Sequence, residues 1–116
     1  MTNCIFCSIV KGERQADIVA SKEECVAFKD IQPKAPFHIL VVPRKHVASV
    51  AEMEDGDAPL IGQLIRCAKV IAEESGIDKT GYKLVFNVGR GGGQIIDHIH
   101  LHLLGGWNNN EPPANI

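Results

Sequence analysis

His98-Ile99-His100-Leu101-His102-Leu103-Leu104 alternates imidazole with aliphatic side chains. A β-strand turns successive side chains to opposite faces. Read as a strand, this stretch puts Ile99, Leu101 and Leu103 on one face and His98, His100 and His102 on the other. The aliphatic face must pack on a core. The imidazole face is left for chemistry, because a merely solvated face would use Lys, Glu or Thr. Imidazole titrates near neutrality and is a nucleophile when neutral. Alternate strand residues are about 7 Å apart, so the outer two histidines stand roughly 13 Å apart, too far to ligate one ion together. Two neighbours in a His-x-His pair could share one.

Outward from this stretch, the last strand is expected over 96–104. The glycines Gly89, Gly91, Gly92 and Gly93 make a tight exposed connection before it. Residues 83–88 read as another strand, with Asn87 on the face opposite Leu84 and Phe86. The apolar runs 25–28 and 38–42 read as two more, the second stopped by Pro43 and preceded by a loop at Pro33 and Pro36. A helix is predicted over about 58–75, with Asp57 as N-cap, Pro59 in the first turn and Gly76 just past its end. Leu60, Ile61, Leu64, Ile65, Ala68, Ile71 and Ala72 give it one apolar face. The tail 107–116 is expected to be irregular. Strands flanking one long helix, with hairpin-length connections late in the chain, imply an α+β domain with an antiparallel sheet.

The chain of 116 residues is read as one domain, 1–116. Its 45% hydrophobic and 22% charged residues are ordinary globular usage. The 12 basic and 14 acidic residues are scattered, which gives none of the basic footprint of a nucleic-acid binder. No apolar run approaches the roughly 18 residues of a membrane span. Residues 1–30 carry charges every few positions without an apolar h-region, so no signal peptide and a cytoplasmic location are expected. In that compartment no disulfide is expected. Cys25 and Cys67 lie on apolar faces and read as core. Cys4-x-x-Cys7 reads as metal or redox chemistry.

The triad and its surroundings resemble the histidine triad (HIT) superfamily of nucleotide hydrolases and transferases, nearest the Hint-like purine nucleoside phosphoramidase branch. The resemblance includes Ile5-Phe6, Phe28, Asp30, the run from Ala35 to Pro43 with His38, Asn87, Gly92-Gly93-Gln94, the triad and Gly105-Gly106. It implies a HIT-like fold, a roughly five-stranded antiparallel sheet packed on one long helix. It also implies a homodimer whose sheet continues across the interface.

The resemblance further implies a two-step displacement at the α-phosphorus of a purine nucleotide. His100 would be the nucleophile, forming a nucleotidyl-histidine that water hydrolyses. A neutral imidazole with a reference pKa of about 6.5 suits that role. His102 and His38 would contact the phosphate as imidazolium groups and help the leaving group depart, and His98 completes the triad. Gln94 and the backbone N–H groups around Gly92 and Gly93 would cradle the phosphate, and Asn87 would add a polar contact. Asp30 would bind the ribose hydroxyls. Ile5, Phe6, Ile9, Phe28 and Ile31 would line the base pocket, although as bare sequence they read as simple core. Two positions depart from the family. Ile95 follows Gln94 where Ser or Thr is usual, and Asp97 precedes the triad where many relatives carry an aromatic residue. The tail also differs from the usual Hint ending, which bears on the choice of substrate.

Several bacterial HIT proteins resemble this chain in a second cluster. There, two N-terminal cysteines, a His after a Pro-basic-basic stretch and the first triad His bind zinc. Here those positions are Cys4, Cys7, His46 and His98. The zinc would be structural, with a closed shell, and catalysis would need no cofactor. Adenine or guanine nucleotides, such as AMP or GMP derivatives, are the implied partners, with no nucleic acid and no membrane. Three other readings remain open: a dinucleoside polyphosphate hydrolase, a nucleotide-binding module with weak catalysis, and a His-x-His pair holding a catalytic ion.

Overall fold

In the computed structural model, which describes residues 4–108, 111 and 113, the aliphatic half of the histidine stretch sits inside a five-stranded antiparallel sheet. The elements in chain order are α1 (Ile5–Val10), β1 (Ile18–Ser21), β2 (Cys25–Lys29), β3 (Phe37–Pro43), α2 (Ala58–Ser75), β4 (Tyr82–Phe86) and β5 (Leu101–Gly105), with short 3₁₀ turns between them. The strand order is β1-β2-β3-β5-β4. β5 therefore has neighbours on both sides: Leu101 faces Val41 and Phe86, and Leu103 faces Ile39 and Leu84.

Two cores sandwich the sheet. On one face Ile39, Val41, Leu101 and Leu103 pack against Leu64, Ala68, Ile71 and Ala72 of α2. On the other, Val26, Phe28, Leu40 and Val42 pack with Phe6 and Ile9 of α1. β2 and β3 are thus covered on both sides. That is why their sequences are continuous apolar runs and not alternating ones.

α2 spans the predicted residues, and Gly76 ends it in the left-handed region at φ 85°. Asp57 does not cap it. Its backbone is already helical, because it closes the 3₁₀ turn Asp55–Asp57, whereas a cap needs an extended backbone. Its side chain instead accepts from the Glu54 backbone N–H at 3.0 Å and from Lys45 Nζ at 2.6 Å. The last strand is shorter than the expected 96–104. Residues 98–100 lie outside the ladder, which ends at the Val41–Leu101 pair; Pro43 at the end of β3 has no N–H to donate to it. Ile99 N–H donates to the Val47 carbonyl instead, at 2.7 Å. The fourth strand likewise starts at Tyr82 and stops at Phe86. Neither α1 nor β1 is legible in the sequence pattern. α1 has only six residues, too few to show a helical period.

Cys25 and Cys67 are core residues, but their sulfurs are joined in a disulfide between β2 and α2. This corrects the expectation of no disulfide. The apolar faces that carry them are packed on each other. Trp107 and Asn108 have no regular structure; residues 109, 110, 112 and 114–116 lie outside the described residues. No described helix is long and apolar enough to cross a membrane.

Candidate active site and metal centre

The three triad histidines lie on the α1 side of the sheet. His102 is directly opposite Leu40 of the α1-side core. The Phe6 ring packs edge-on against both His98 and His100, with centroids 5.9 and 5.1 Å apart. Their working nitrogens nevertheless part company. His100 and His102 gather with His38, whereas His98 turns toward the N-terminal segment.

Backbone groups set the tautomer of each ring. His100 Nδ1–H donates to the His98 carbonyl at 2.7 Å, so its Nε2 carries a lone pair. His98 Nε2–H donates to the Pro43 carbonyl at 3.0 Å, so its lone pair is on Nδ1. The Lys34 backbone N–H donates to His38 Nδ1 at 3.0 Å, so His38 carries its proton on Nε2. That proton is donated to His102 Nδ1 at 2.9 Å, which places the His102 proton on its own Nε2. A neutral imidazole has one donor and one acceptor, so nothing is left free to choose. The order is a relay, Lys34 to His38 to His102, beside one unprotonated nitrogen on His100.

Asp30 borders this relay. Its Oδ2 lies 3.4 Å from His38 Nε2, while Oδ1 accepts from the Gln32 N–H at 2.8 Å in an Asx turn. Asp30, His38 and His102 could superficially hold a cation. The tautomers exclude it, because His38 Nε2 is protonated while Nδ1 already accepts.

The glycine-rich loop differs from expectation. Gln94 is 2% exposed, and its side chain holds the loop's own backbone. Its Oε1 accepts from Gly89 N–H at 2.9 Å, and its Nε2 donates to the carbonyls of Ala48 at 2.7 Å and Ile96 at 2.9 Å. The N–H groups of Gly92, Gly93 and Gln94 also close turns within the loop. Where the resemblance implied a phosphate cradle, these N–H groups close a tight 3₁₀ turn and the Gln94 side chain ties the loop's own backbone together. Asn87 Nδ2 donates to the Gly92 carbonyl at 2.8 Å. Gly93 turns the chain at φ 90° beside it. Sequence reading did not single out Arg90. It grips Asp97 with both Nη atoms, at 2.9 and 3.0 Å, and the Gln94 carbonyl at 2.7 Å. Replacing Gln94 with Ala removes the partner of the Gly89 N–H and of the Ala48 and Ile96 carbonyls, so a loss of about 1–3 kcal/mol in urea unfolding is expected.

The five residues expected around a base divide by exposure. Phe6, Ile9 and Phe28 are 6, 8 and 4% exposed and belong to the α1-side core, as their bare sequence implied. Ile5 at 37% and Ile31 at 94% stand open to solvent. Ile31, next to Asp30 in the chain, leaves uncovered apolar surface that a flat ring would bury.

The second cluster lies behind His98. Cys4 caps α1, its Sγ accepting from Cys7 N–H at 3.3 Å. His98 Nδ1 is 3.4 Å from Cys4 Sγ, 3.5 Å from Cys7 Sγ and 3.2 Å from His46 Nδ1, and His46 Nδ1 is 3.3 Å from Cys7 Sγ. A tetrahedral ion with metal–ligand bonds of about 2.0–2.3 Å has ligand atoms about 3.3–3.8 Å apart. Two thiols and two imidazoles at these separations fit such an ion. The Pro43 carbonyl supplies the outer hydrogen bond that aims a metal-binding imidazole.

Burial, above all, holds the His98 and His102 imidazoles down to about 4, and it lowers His100 and His38 as well. Burial thus favours the uncharged form of each ring. The resemblance implied imidazolium at His102 and His38, and burial works against that form. Lowered histidine pKa values favour the fold above the unfolded value of about 6.5 and withdraw that stability as pH falls toward the folded value. Melting temperature is therefore expected to hold above pH 7 and to fall steadily from pH 6.5 to 4. His102→Asn is expected to flatten part of that slope in a thermal-melt series.

A family model described as HIT domain matches residues 11–109. The chain is 42% identical over 102 residues to the purine nucleoside phosphoramidase of Escherichia coli K12, covering 88% of this chain and 86% of that one. It superposes on the crystal structure of a HIT family hydrolase from Legionella pneumophila with TM-score 0.89 and 46% identity, covering 97% of this chain and 100% of that one. A Zn-bound histidine triad family protein from Mycobacterium smegmatis aligns with TM-score 0.81 and 28% identity, over 94% of this chain and 78% of that one.

Proposed function

Because this chain belongs to the HIT domain family and is a hydrolase, we infer that it cleaves purine nucleoside phosphoramidates at the α-phosphorus. The observation that carries this reading is the His100 Nδ1–H bond to the His98 carbonyl, which leaves a neutral ring with a free Nε2 lone pair. His100 Nε2 attacks phosphorus, the P–N bond breaks as the nitrogen takes a proton from water and leaves as the free amine, and a nucleotidyl-histidine forms. Water then cleaves the P–Nε2 bond and releases the nucleotide. His102 Nε2–H donates to a phosphoryl oxygen. It works as a neutral donor backed by His38, so it stabilises the transition state by directed hydrogen bonding and not by full charge. Asp30 receives the ribose hydroxyls, and Ile5 and Ile31 cover the base. The 42% identical phosphoramidase supports this substrate class.

Zinc is assigned to Cys4, Cys7, His46 and His98, on their separations and on the Zn-bound relative. Four protein ligands leave no open position, so the ion is structural. The chain acts as one domain in the cytoplasm and pairs as a homodimer. Among the described residues β4 has a ladder partner on one side only, and Leu84 on it and Ile65 on α2 are 38 and 43% exposed. A second copy would cover that edge.

The test is AMP release from an adenosine phosphoramidate, with acid-quenched mass spectrometry of the protein. A mass increase of one AMP on His100 is expected. Steady release without any protein-bound nucleotide would overturn the covalent route.

A further inference from the structure

We propose that Cys4 and Cys7 form a reversible disulfide on meeting hydrogen peroxide, and that this oxidation switches the His100 site through His98. The proposal rests on the metal assignment and the histidine chemistry above, and it deepens both.

Both sulfurs are free and only partly buried, so a small oxidant reaches them. They lie in one cluster whose ligand atoms are all within 4.8 Å of one another. Two thiolates and peroxide suffice. Each sulfur gives up one electron, the Sγ–Sγ bond forms, the O–O bond breaks, and two protons complete two waters. A metal held by this cluster loses two of its four ligands and leaves.

Two connections carry the event to His100. The first runs through His98, which is fully buried. In the reduced cluster its Nδ1 faces a metal or, without metal, the thiol of Cys4 at 3.4 Å. A disulfide offers neither a cation nor a hydrogen. The buried acceptor must then find another donor or rotate. Rotation gives up the Nε2–H bond to Pro43, and the His98 carbonyl that orients His100 Nδ1 belongs to the same residue. The second runs through α1. Phe6 lies between the two cysteines in sequence, and its ring packs on His98 and His100. Cys4 Sγ also caps α1, so drawing it onto Cys7 Sγ disturbs the cap bond and shifts the helix that carries Phe6. Metal removal alone leaves the thiols in place and should leave His100 oriented. Oxidation should not.

The experiment treats zinc-loaded protein with hydrogen peroxide and follows three readouts. A chromogenic chelator reads released zinc, alkylation mass mapping reads Cys4 and Cys7, and long-range ¹⁵N NMR reads the His100 ring. The expected result is one zinc released per Cys4–Cys7 disulfide, displaced His100 ring nitrogen shifts, and at least a tenfold loss of AMP release. Dithiothreitol with zinc should reverse all three. The Cys25→Ala/Cys67→Ala double variant should respond identically, and Cys7→Ser should form no such disulfide. Cysteines that stay alkylatable after zinc binding and peroxide treatment overturn the proposal. So does a Cys4–Cys7 disulfide that leaves the His100 shifts unmoved, whether or not zinc was bound. The NMR and alkylation readouts need no substrate, so a failure of the phosphoramidase assignment would show separately, as no turnover in the reduced protein.

Discussion

His100→Ala is expected to cut AMP release from an adenosine phosphoramidate by about 10³-fold or more while AMP affinity changes little. The expectation follows from counting lone pairs. His38 Nδ1 accepts from Lys34, and its Nε2 is protonated. His102 Nδ1 accepts from His38. His98 Nδ1 faces the sulfurs. Of these four rings, only His100 has a lone pair, on Nε2, that no protein group among the described residues claims. Removing it leaves water to attack phosphorus directly. The base and ribose contacts at Ile31 and Asp30 remain, so binding of AMP should survive. His102→Ala removes one donor to the phosphoryl group and is expected to cost less, about 10²-fold. A calorimetric titration with AMP and a thermal melt separate lost chemistry from lost folding, since His100→Ala also forfeits the edge contact with Phe6. Equal losses from both variants would place the nucleophile elsewhere.

Stripping metal from the reduced protein is expected to have the largest effect on stability and little on the chemical step. An ion that binds only the folded chain, present at 1,000 times its dissociation constant, adds about 4 kcal/mol. For a chain of this size that is a fall in melting temperature of roughly 15 °C on adding a chelator. The four ligands come from three separated places: α1 with its cap, the segment after β3 and the segment before β5. The ion therefore ties the N-terminus to the sheet. His46→Ala should imitate the chelator in the melt, because it removes one ligand without touching His100. Melting that is indifferent to chelator and to His46→Ala would show that the cluster holds no ion. Turnover that disappears with the metal while the fold persists would favour a catalytic ion.

Alternating chemistry in 98–104 was enough to separate an aliphatic face from an imidazole face, because strand geometry leaves two faces and water tolerates only one kind of residue on each. Helical spacing from Leu60 to Ala72, with Gly76 behind it, likewise gave α2, since those signals are local. The cluster of Cys4, Cys7, His46 and His98 was legible only through resemblance. Its members lie as far as 94 residues apart, and no spacing rule brings them together.

What sequence alone determined here was therefore which residues carry the chemistry and which faces are buried. The tertiary structure decided their states. Burial lowered the histidine pKa values and so works against the imidazolium forms that the resemblance implied. Backbone carbonyls and N–H groups from Pro43, His98 and Lys34 chose each tautomer. The 3₁₀ geometry of residues 90–92 set the internal hydrogen bonds of Gln94 and the glycine N–H groups, where the glycine run in isolation reads only as a tight exposed connection. Packing of β2 on α2 joined Cys25 to Cys67, which composition and compartment had argued against. The physical reason is common to all four. Solvation, hydrogen-bond partners and sulfur proximity depend on atoms brought in from elsewhere in the chain, and a local pattern contains none of them.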